Sequence, residues 1–419
     1  MPANDLHRRI DAIWRIESPK LIAGLARMLR DVGQAEELAQ DTLVTALETW
    51  PRDGVPDNPG AWVMTTAKRR AIDQLRRRKL VERKHEQLGY EAEIEQDRGA
   101  DAFPDLDDDI GDDLLRLMFT ACHPVLAMEA RVALTLRLLG GLTTPEIARA
   151  YLLPEATIAQ RIVRAKRTLA KAQVPFEVPR AEDRRDRLAS VLDVIYLIFN
   201  EGYAATAGEE WLRPALCEDA LRLGRILAGL MPDEAEVHGL LALMELQASR
   251  LRARVDAQGD PVLLADQDRS HWDRLLIRRG LAGIEHALNL GGEVGPCLLQ
   301  AMIAACHARA PGAQETDWLL IAELYDRLAA VAPSPVVELN RAVAVAMAHG
   351  PVRGLELVDA LHGDAMLRDY HLLPSVRGDL LRKLGRNDEA RAEFEHAAAL
   401  ANNMRERRLL LQRAAGCAA

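Results

Sequence analysis

Apolar residues recur at helical spacing along most of this chain, and this periodicity restricts its fold more than any other feature. Between residues 19 and 76 one stripe consists of Leu21, Ile22, Leu25, Met28 and Leu29, and another of Leu38, Leu43, Leu47 and Trp50. Hydrophobic residues make up 49% of the chain but aromatic residues only 4%, and runs of β-branched residues are scarce, which favours helix over strand. The sequence therefore predicts an all-α protein.

The chain's length and motif content bound its class. With 419 residues it is long enough for two or three domains. Its five cysteines are scattered without a CxxC pair, so we expect neither a disulfide framework nor a zinc site. No nucleophile elbow, phosphate-binding loop or metal motif occurs, so we expect neither an enzyme nor a cofactor. Because there is no apolar signal core and no apolar stretch of about 18 residues, we predict a cytoplasmic protein without a membrane span.

Charge is distributed unevenly along the chain, although the net charge is -9. Residues 68–84 hold nine basic and two acidic side chains, and residues 144–171 hold six basic and two acidic side chains. Between these two basic segments, residues 91–113 hold eleven acidic side chains and one basic side chain. Dense like charge with little apolar content is typical of a flexible linker.

Proline, glycine and charge mark the predicted boundaries. Three prolines and two glycines in residues 51–60 predict a loop between two helices. A second junction is predicted where Pro175 and Pro179 precede a charged run. The predicted domains are residues 1–84, 113–174 and 180–419, with an acidic linker at residues 85–112.

The last predicted domain shows signs of internal repetition. The tetratricopeptide (TPR) pattern pairs small residues, which let two helices approach, with large residues that fill the gap. Its spacings are matched by Gly378, Leu381, Gly385, Ala390, Phe394 and Ala397. A weaker copy lies at residues 340–361. We interpret the domain as a TPR-like helical array, with a plain helical bundle as the alternative.

Residues 142–172 have the pattern of a helix-turn-helix. Thr143 and Glu146 predict a capping box that starts a short helix, and a longer helix begins at Glu155 after a short turn. The longer helix has a polar, basic face of Gln160, Arg164 and Arg167, flanking cations Arg161, Lys166 and Lys171, and a packing face of Ile158, Ile162 and Leu169. This pattern predicts DNA binding through the major groove, and a solvated basic face on an ordinary helical hairpin is the alternative.

The basic run of residues 68–79 has the same two-sided pattern. Its apolar positions are Ala67, Ala71, Ile72 and Leu75, and positions 69, 70, 73, 76 and 77 lie on the other face. A row of guanidinium groups suits a phosphate backbone, so we predict nucleic-acid contact here as well.

Three segments together resemble domains two and four of the extracytoplasmic-function (ECF) sigma factors. They are AEELAQDTLVTALETW (residues 35–50), GAWVMTTAKRRAIDQLRR (residues 60–77) and, after the acidic linker, RVALTLRLLGGLTTPEIARAYLLPEATIAQRIVRAKRTL (residues 131–169). The remainder is similar to the extension of the ECF subgroup with a TPR-like domain, through NEGY (residues 200–203) and DQDRSHWD (residues 266–273).

The resemblance implies roles for particular positions. Glu36, Glu37, Gln40 and Asp41 would lie on the helix that docks, through an exposed acidic face, on the clamp coiled coil of the polymerase largest subunit. The residues implied in minus-ten recognition and melting are Asp57, Asn58, Trp62, Lys68, Arg69, Arg70, Arg76 and Arg77. Those implied in minus-thirty-five recognition are Thr157, Gln160, Arg161, Arg164, Arg167 and Lys171. The acidic linker would run towards the RNA exit path. Arg69 stands where many members have Asn, so the resemblance does not establish how this position takes part in melting.

The resulting hypothesis is a non-catalytic sigma factor that binds core RNA polymerase, recognises two promoter elements and opens double-stranded DNA to bind the non-template strand. It would be regulated by its own C-terminal domain, for which an intramolecular contact with the sigma domains is one route. The alternative is a one-component helix-turn-helix activator with a helical sensor domain, which leaves the acidic face and the proline-rich loop unexplained. An enzyme in the C-terminal domain is not expected.

Three motifs have structural interpretations beside the functional ones. Trp62 can pack in a core or stack on a base. Residues 266–273 are interpreted as an ion-paired turn that caps the next helix rather than an acid-base site. Asn200, Glu201 and Tyr203 are interpreted as buried hydrogen-bonding groups between helices rather than a ligand site.

Overall fold

The computed structural model describes residues 3–87 and 110–417 of the chain. Within those ranges there are eighteen α-helices and no β-strand, only two isolated β-bridges. This confirms the predicted all-α fold. The predicted acidic linker lies, apart from its two ends, outside the described residues. None of the described helices is both long enough and apolar enough to cross a membrane.

The chain divides into two compact units, Met1–Val194 and Ile195–Ala419. The helices of the first unit are α1 (Ala3–Leu29), α2 (Val32–Asp53), α3 (Pro59–Gln87), α4 (Ile110–Ala121), α5 (Met128–Leu138), α6 (Thr144–Ala150), α7 (Glu155–Lys171) and the first part of α8 (Ala181–Tyr203). Helices α1, α2 and α3 pack against one another, α1 also contacts α4 and α5, and α7 packs on α5, α6 and α2. The residues predicted to form two separate domains therefore lie in one packed unit.

The loop predicted at residues 51–60 is shorter in the structure. Helix α2 continues through Pro51 to Asp53, so the expectation that no helix enters this segment was wrong. The helix ends at Asp53, and the Gly54 N–H closes its last turn by donating to Trp50 O at 3.0 Å. Gly54 itself has a φ of 86°, a conformation that suits glycine and turns the chain away from the helix. Helix α3 then starts at Pro59, a position where the missing N–H of proline leaves no bond unmade.

The start of α8 packs within the first unit, beyond the boundary predicted near residue 180. Arg187 Nη2 donates to Phe119 O at 2.8 Å, and Ser190 Oγ donates to Cys122 O at 2.6 Å. Ser190 also accepts a hydrogen bond of 2.9 Å from Arg131 Nη1. These bonds to the α4–α5 corner, which contains Cys122, explain why the first unit extends to Val194.

The second unit is a succession of helices in which each packs against the next along the chain. They are α9 (Pro214–Leu230), α10 (Ala235–Ala248), α11 (Arg274–Asn289), α12 (Pro296–Arg309), α13 (Trp318–Val331), α14 (Pro335–His349), α15 (Pro351–Ala360), α16 (Leu372–Lys383), α17 (Asn387–Leu400) and α18 (Met404–Ala415). Packing between neighbours in sequence is the arrangement of helical repeat arrays.

Helices α16 and α17 form the pair for which the TPR spacing was noted. Phe394 is fully buried, and a Cβ atom placed on Gly378 would lie 2.9 Å from its ring. Leu381, Ala390 and Ala397 are also fully buried. Gly385 turns the chain between the helices with a φ of 75°. The small-against-large packing is confirmed, whereas the assignment to TPR repeats stays a prediction.

Candidate nucleic-acid interface

The predicted helix-turn-helix is formed by α6 and α7. Thr143 Oγ1 accepts from the Glu146 N–H at 3.4 Å, and Glu146 Oε2 accepts from the Thr143 N–H at 2.7 Å, which confirms the capping box. In the turn, Leu152 has a left-handed φ of 50°, and the Leu153 N–H donates to Ala148 O at 3.0 Å. This hydrogen bond closes the end of α6 and directs the chain into α7.

Helix α7 separates a packing face from an exposed polar face. The buried residues are Ile158, Ile162, Ala165 and Leu169, which include all three predicted packing residues. Of the predicted minus-thirty-five residues, Gln160, Arg164, Arg167 and Lys171 are exposed, and Thr157 and Arg161 are half-buried. An exposed polar and basic face on the second helix of this motif has the geometry required to enter a major groove.

The basic residues of α3 lie around a helix that packs through Ala67 and Ala71, both fully buried. Arg69, Arg76 and Arg77 are exposed, whereas Lys68 and Arg70 are half-buried. Arg70 Nη2 donates to Thr45 Oγ1 of α2 at 2.6 Å, so this guanidinium also joins two helices. The structure thus places three of the five predicted basic residues on the solvent-facing surface.

A surface pocket of about 380 Å³ lies where α2 meets α3, lined by Trp50, Asp57, Trp62 and residues 53–56 among others. The rings of Trp50 and Trp62 meet edge to face with centroids 5.3 Å apart. Trp50 is buried, and its Nε1 has no hydrogen-bond partner among the described residues, while Trp62 is half-buried. Trp62 therefore serves packing and still presents part of its ring to the pocket.

Asn58 lies at the edge of this loop and caps α3. Its Oδ1 accepts from the Ala61 N–H at 3.0 Å. A capping oxygen satisfies one of the unpaired amides of a helix N-terminus. The side-chain carbonyl of Asn58 is therefore engaged, which leaves its amide NH₂ for any ligand.

The acidic face predicted on α2 is only partly exposed. Glu37 and Asp41 are exposed and Gln40 is half-buried, but Glu36 is only 4% exposed. The expectation that Glu36 contributes to an exposed acidic surface is therefore wrong for this structure.

The Glu36 carboxylate is held by two cations. Its Oε1 accepts from Arg137 Nε of α5 at 2.6 Å, and its Oε2 pairs with Lys166 of α7. Both partners lie about 100 residues or more along the chain, so the sequence pattern of α2 gave no signal for them.

Two further ion pairs connect α1 to later helices of the first unit. Arg15 Nη2 of α1 contacts Glu146 Oε1 of α6 at 2.8 Å, and Arg27 Nε of α1 contacts Asp113 Oδ2 of α4 at 3.3 Å. Burial raises the pKa of Glu146, but the hydrogen bonds from Thr143 and the Arg15 guanidinium outweigh it and lower that pKa below its usual range. Glu146 is therefore ionised when it pairs with Arg15 at neutral pH.

In the second unit, the segments at residues 200–203 and 266–273 have structural roles. Asp273 Oδ1 accepts from the Leu275 and Leu276 N–H groups at 2.8 and 3.1 Å, which confirms the predicted cap of α11. Glu201 is buried and pairs with Arg213. The guanidinium of Arg254 lies 3.6 Å from the ring centroid of Tyr203. The segment at residues 200–203 is thus an ion-paired and cation–π-stabilised junction.

Comparisons with known proteins match two family models in the first unit, Sigma-70 region 2 over residues 14–81 and Sigma-70 region 4 over residues 116–169. The ECF RNA polymerase sigma factor SigK of Mycobacterium tuberculosis is 32% identical over 152 residues, covering 34% of this chain and 74% of that protein. The chain belongs to the ECF sigma factors. SigK of Mycobacterium ulcerans is similar, with 32% identity over 156 residues, which cover 35% of this sigma factor and 75% of SigK.

The rest of the sigma factor also has relatives. An uncharacterized protein of Rhizobium meliloti, R00370, is 44% identical over 389 residues, which cover 93% of this chain and 91% of that protein. Residues 187–288 match a family of unknown function, DUF6596. That match runs from α8 into α11, and it ends before α12. The resemblance to the particular ECF subgroup with a TPR-like extension stays a prediction.

Proposed function

We propose that this sigma factor binds core RNA polymerase, recognises two promoter elements and opens the DNA between them, while the polymerase performs the chemistry. The observation that carries the proposal is the presence of both a region 2 and a region 4 in the first unit. A one-component activator needs only the helix-turn-helix and would not account for region 2. Run-off transcription with core polymerase and a promoter library tests the proposal, because an activator without sigma activity gives no initiation there.

The polymerase contact is assigned to the exposed part of the acidic face on α2. Glu37 and Asp41 are exposed, and the carboxylates of both are without an ion pair among the described residues. Gln40 adds a half-buried amide between them. Such a face complements a basic coiled coil and would speed encounter as well as fix orientation.

Reversing the charge of Asp41 with Asp41→Lys is expected to lower the affinity for core polymerase at least tenfold and leave the helical content unchanged. Exposed substitutions usually change stability by under about 0.5 kcal/mol, so folding is retained. Binding is measured by titration of labelled polymerase, and circular dichroism checks the fold. Glu129→Lys is the control, since Glu129 is an exposed acid on α5, a different helix of the first unit. Equal affinities for the two variants would contradict the assigned face.

The minus-ten contact is assigned to the pocket beside Trp62 and to the exposed cations of α3. The pocket has room for a flipped base, and Trp62 offers part of an aromatic face on which a base can stack. Arg69, Arg76 and Arg77 are exposed towards solvent, where they can contact phosphates. Binding of a base in the pocket and contacts of the arginines with phosphates would together stabilise the separated strands relative to the duplex.

The minus-thirty-five contact is assigned to α7, and Arg164→Ala is expected to weaken specific promoter binding by about 1 to 3 kcal/mol and to relax sequence preference within that element. Arg164 is exposed on the same face as Gln160 and Arg167. The measurement is competition binding between the specific site and random DNA at several salt concentrations.

Lys171→Ala is the comparison variant for the reader face. Lys171 is exposed at the last residue of α7 and is assigned to a phosphate. Its loss is expected to weaken binding evenly across sequences and to make the salt dependence shallower by about one unit of slope. If Arg164→Ala reduced binding to specific and random DNA equally, the assignment of Arg164 to base recognition would be wrong.

We further propose that the second unit regulates the first by supplying a contact that initiation requires, rather than by only masking its DNA-binding surfaces. Its ten sequentially packed helices form an array of the kind that offers a long surface to partners. The 44% identity to the Rhizobium meliloti protein extends over 93% of this chain and therefore across both units, which supports a function that uses the two together. Truncation after the first unit tests this requirement.

A further inference from the structure

The buried ion cluster of Glu36, Arg137 and Lys166 joins region 2 to region 4. Glu36 belongs to the region 2 match, and both cations belong to the region 4 match. The side chain of Glu36 is 5% exposed, and those of Arg137 and Lys166 are 18% and 19% exposed. A carboxylate withdrawn from water is tolerated only when it is paired and hydrogen-bonded, so each region supplies what the other needs.

The backbone around this cluster also fits the packed arrangement. A Cβ atom placed on Gly33 would lie 3.6 Å from Cδ of Lys166, so the lysine stem passes within van der Waals contact of the Gly33 backbone. At the second contact, a Cβ atom on Gly141 would lie 3.2 Å from Cα of Arg15, next to the ion pair of Arg15 with Glu146. Region 2 and region 4 therefore approach closely at two places, and at Gly141 the missing side chain permits that approach.

This packed arrangement is too small to contact both promoter elements at once. The minus-ten and minus-thirty-five elements are about 25 base pairs apart, or roughly 85 Å at about 3.4 Å per base pair. A compact body of 194 residues has a radius of gyration of about 16 Å and so a diameter of roughly 40 Å. Region 2 and region 4 must therefore separate before the sigma factor can occupy a promoter.

We propose that the Glu36–Arg137–Lys166 cluster is a latch that holds the free sigma factor closed and exchanges partners when it opens. The inference rests on the proposed function, because opening has a purpose only if both promoter elements are bound. On opening, Glu36 joins the exposed acids Glu37 and Asp41 on the face assigned to the polymerase. Lys166 becomes available to a DNA phosphate beside the α7 reader face. Glu36 and Lys166 give up their pairing with each other and gain partners on the polymerase and the DNA. The free-energy cost of opening is therefore small when polymerase and DNA are both present.

A reversible disulfide across the latch tests the proposal. The Cβ atom built on Gly33 lies 3.9 Å from the Cβ of Lys166, within the range of about 3.5 to 4.5 Å found in disulfides. In the full-length Gly33→Cys/Lys166→Cys variant we expect mild oxidation to form an intramolecular crosslink, detected by faster migration on a non-reducing gel. We expect the oxidised form to lose at least tenfold in initiation with core polymerase on a promoter that carries both elements, and reduction of the same sample to restore it.

The controls separate the latch from native cysteines and from the sigma assignment. The five native cysteines form no disulfide in the structure. Each single substitution should show no crosslink, and its own level of initiation should be the same before and after treatment with the oxidant. Failure of the double variant to crosslink would overturn the closed state, and full initiation by the crosslinked form would overturn its inhibitory role. Absence of initiation by the wild-type chain on any promoter would instead contradict the proposed function, and with it the role of the latch. In that case a crosslink in the double variant would still establish the closed state.

Discussion

Replacing Arg213 with alanine is expected to lower the free energy of unfolding by about 3 to 5 kcal/mol, because it leaves the buried carboxylate of Glu201 without its cation. The side chains of Glu201 and Arg213 are 9% and 10% exposed. Arg213 Nη2 also donates to Ala207 O at 2.8 Å, and Thr206 Oγ1 donates to Glu201 Oε2 at 2.9 Å. Chemical unfolding followed by circular dichroism, with hydrogen exchange of the α8 and α9 amides to locate the effect, measures this loss.

Arg391→Ala is the matched control for this prediction. Arg391 pairs with Glu395 at 2.9 Å on the surface of α17, and both side chains are about half exposed. Exposed pairs contribute about 0 to 1 kcal/mol, so the same substitution should change stability little. If Arg213→Ala lowered the free energy of unfolding as little as Arg391→Ala, the carboxylate of Glu201 must be hydrated or paired with another group in the variant.

The role of the segment at residues 200–203 was predictable in kind but not in detail. Its polar residues follow a strongly apolar run on one helix, which predicts buried hydrogen-bonding groups. Glu201 fits that prediction. The partner Arg213 lies after α8, at the start of α9, and no helical period connects them. Only the folded loop between the two helices, residues 204–213, brings the two side chains together.

Local patterns likewise predicted α7 well and α2 only in part. The capping box, the turn and the packing residues of α7 depend on spacings of three and four residues, which the helix itself fixes. Glu36 is adjacent to Glu37 in sequence, yet Glu36 is buried and Glu37 is exposed. The difference arises from Arg137 and Lys166, which are distant in sequence. Long-range ion pairs of this kind leave no periodic signal.

Proline gave a misleading signal at the end of α2. A proline in a helix interior removes a hydrogen bond and crowds the preceding turn, which argued against helix at Pro51. Pro51 is in the last turn, where the helix ends at Asp53 and Gly54 closes it. Pro51 still lacks the N–H that would donate to the carbonyl of Leu47, but only two residues of helix follow it, so little of α2 depends on continuing past the proline.

The boundary between the two units determines how a truncation should be made. Ending the chain at residue 174 removes Arg187 and Ser190, with their hydrogen bonds to Phe119 O and Cys122 O, and the buried side chain of Val191. Two hydrogen bonds and one buried aliphatic side chain amount to more than about 2 kcal/mol of stability. A fragment of residues 1–174 would therefore confuse unfolding with loss of regulation. Residues 1–194 retain these contacts.

Truncation after Val194 is expected to abolish promoter-specific initiation, while the fragment keeps the helical content and the unfolding transition of the first unit. The proposal that the second unit supplies a required contact predicts this loss, because a unit that only masked DNA-binding surfaces would release more activity when removed. Run-off transcription by purified residues 1–194 and by the full chain, at equal concentrations with core polymerase, distinguishes the two. Initiation by the fragment equal to or above that of the full chain would mean that the second unit only restrains the first, and the proposed requirement would be wrong.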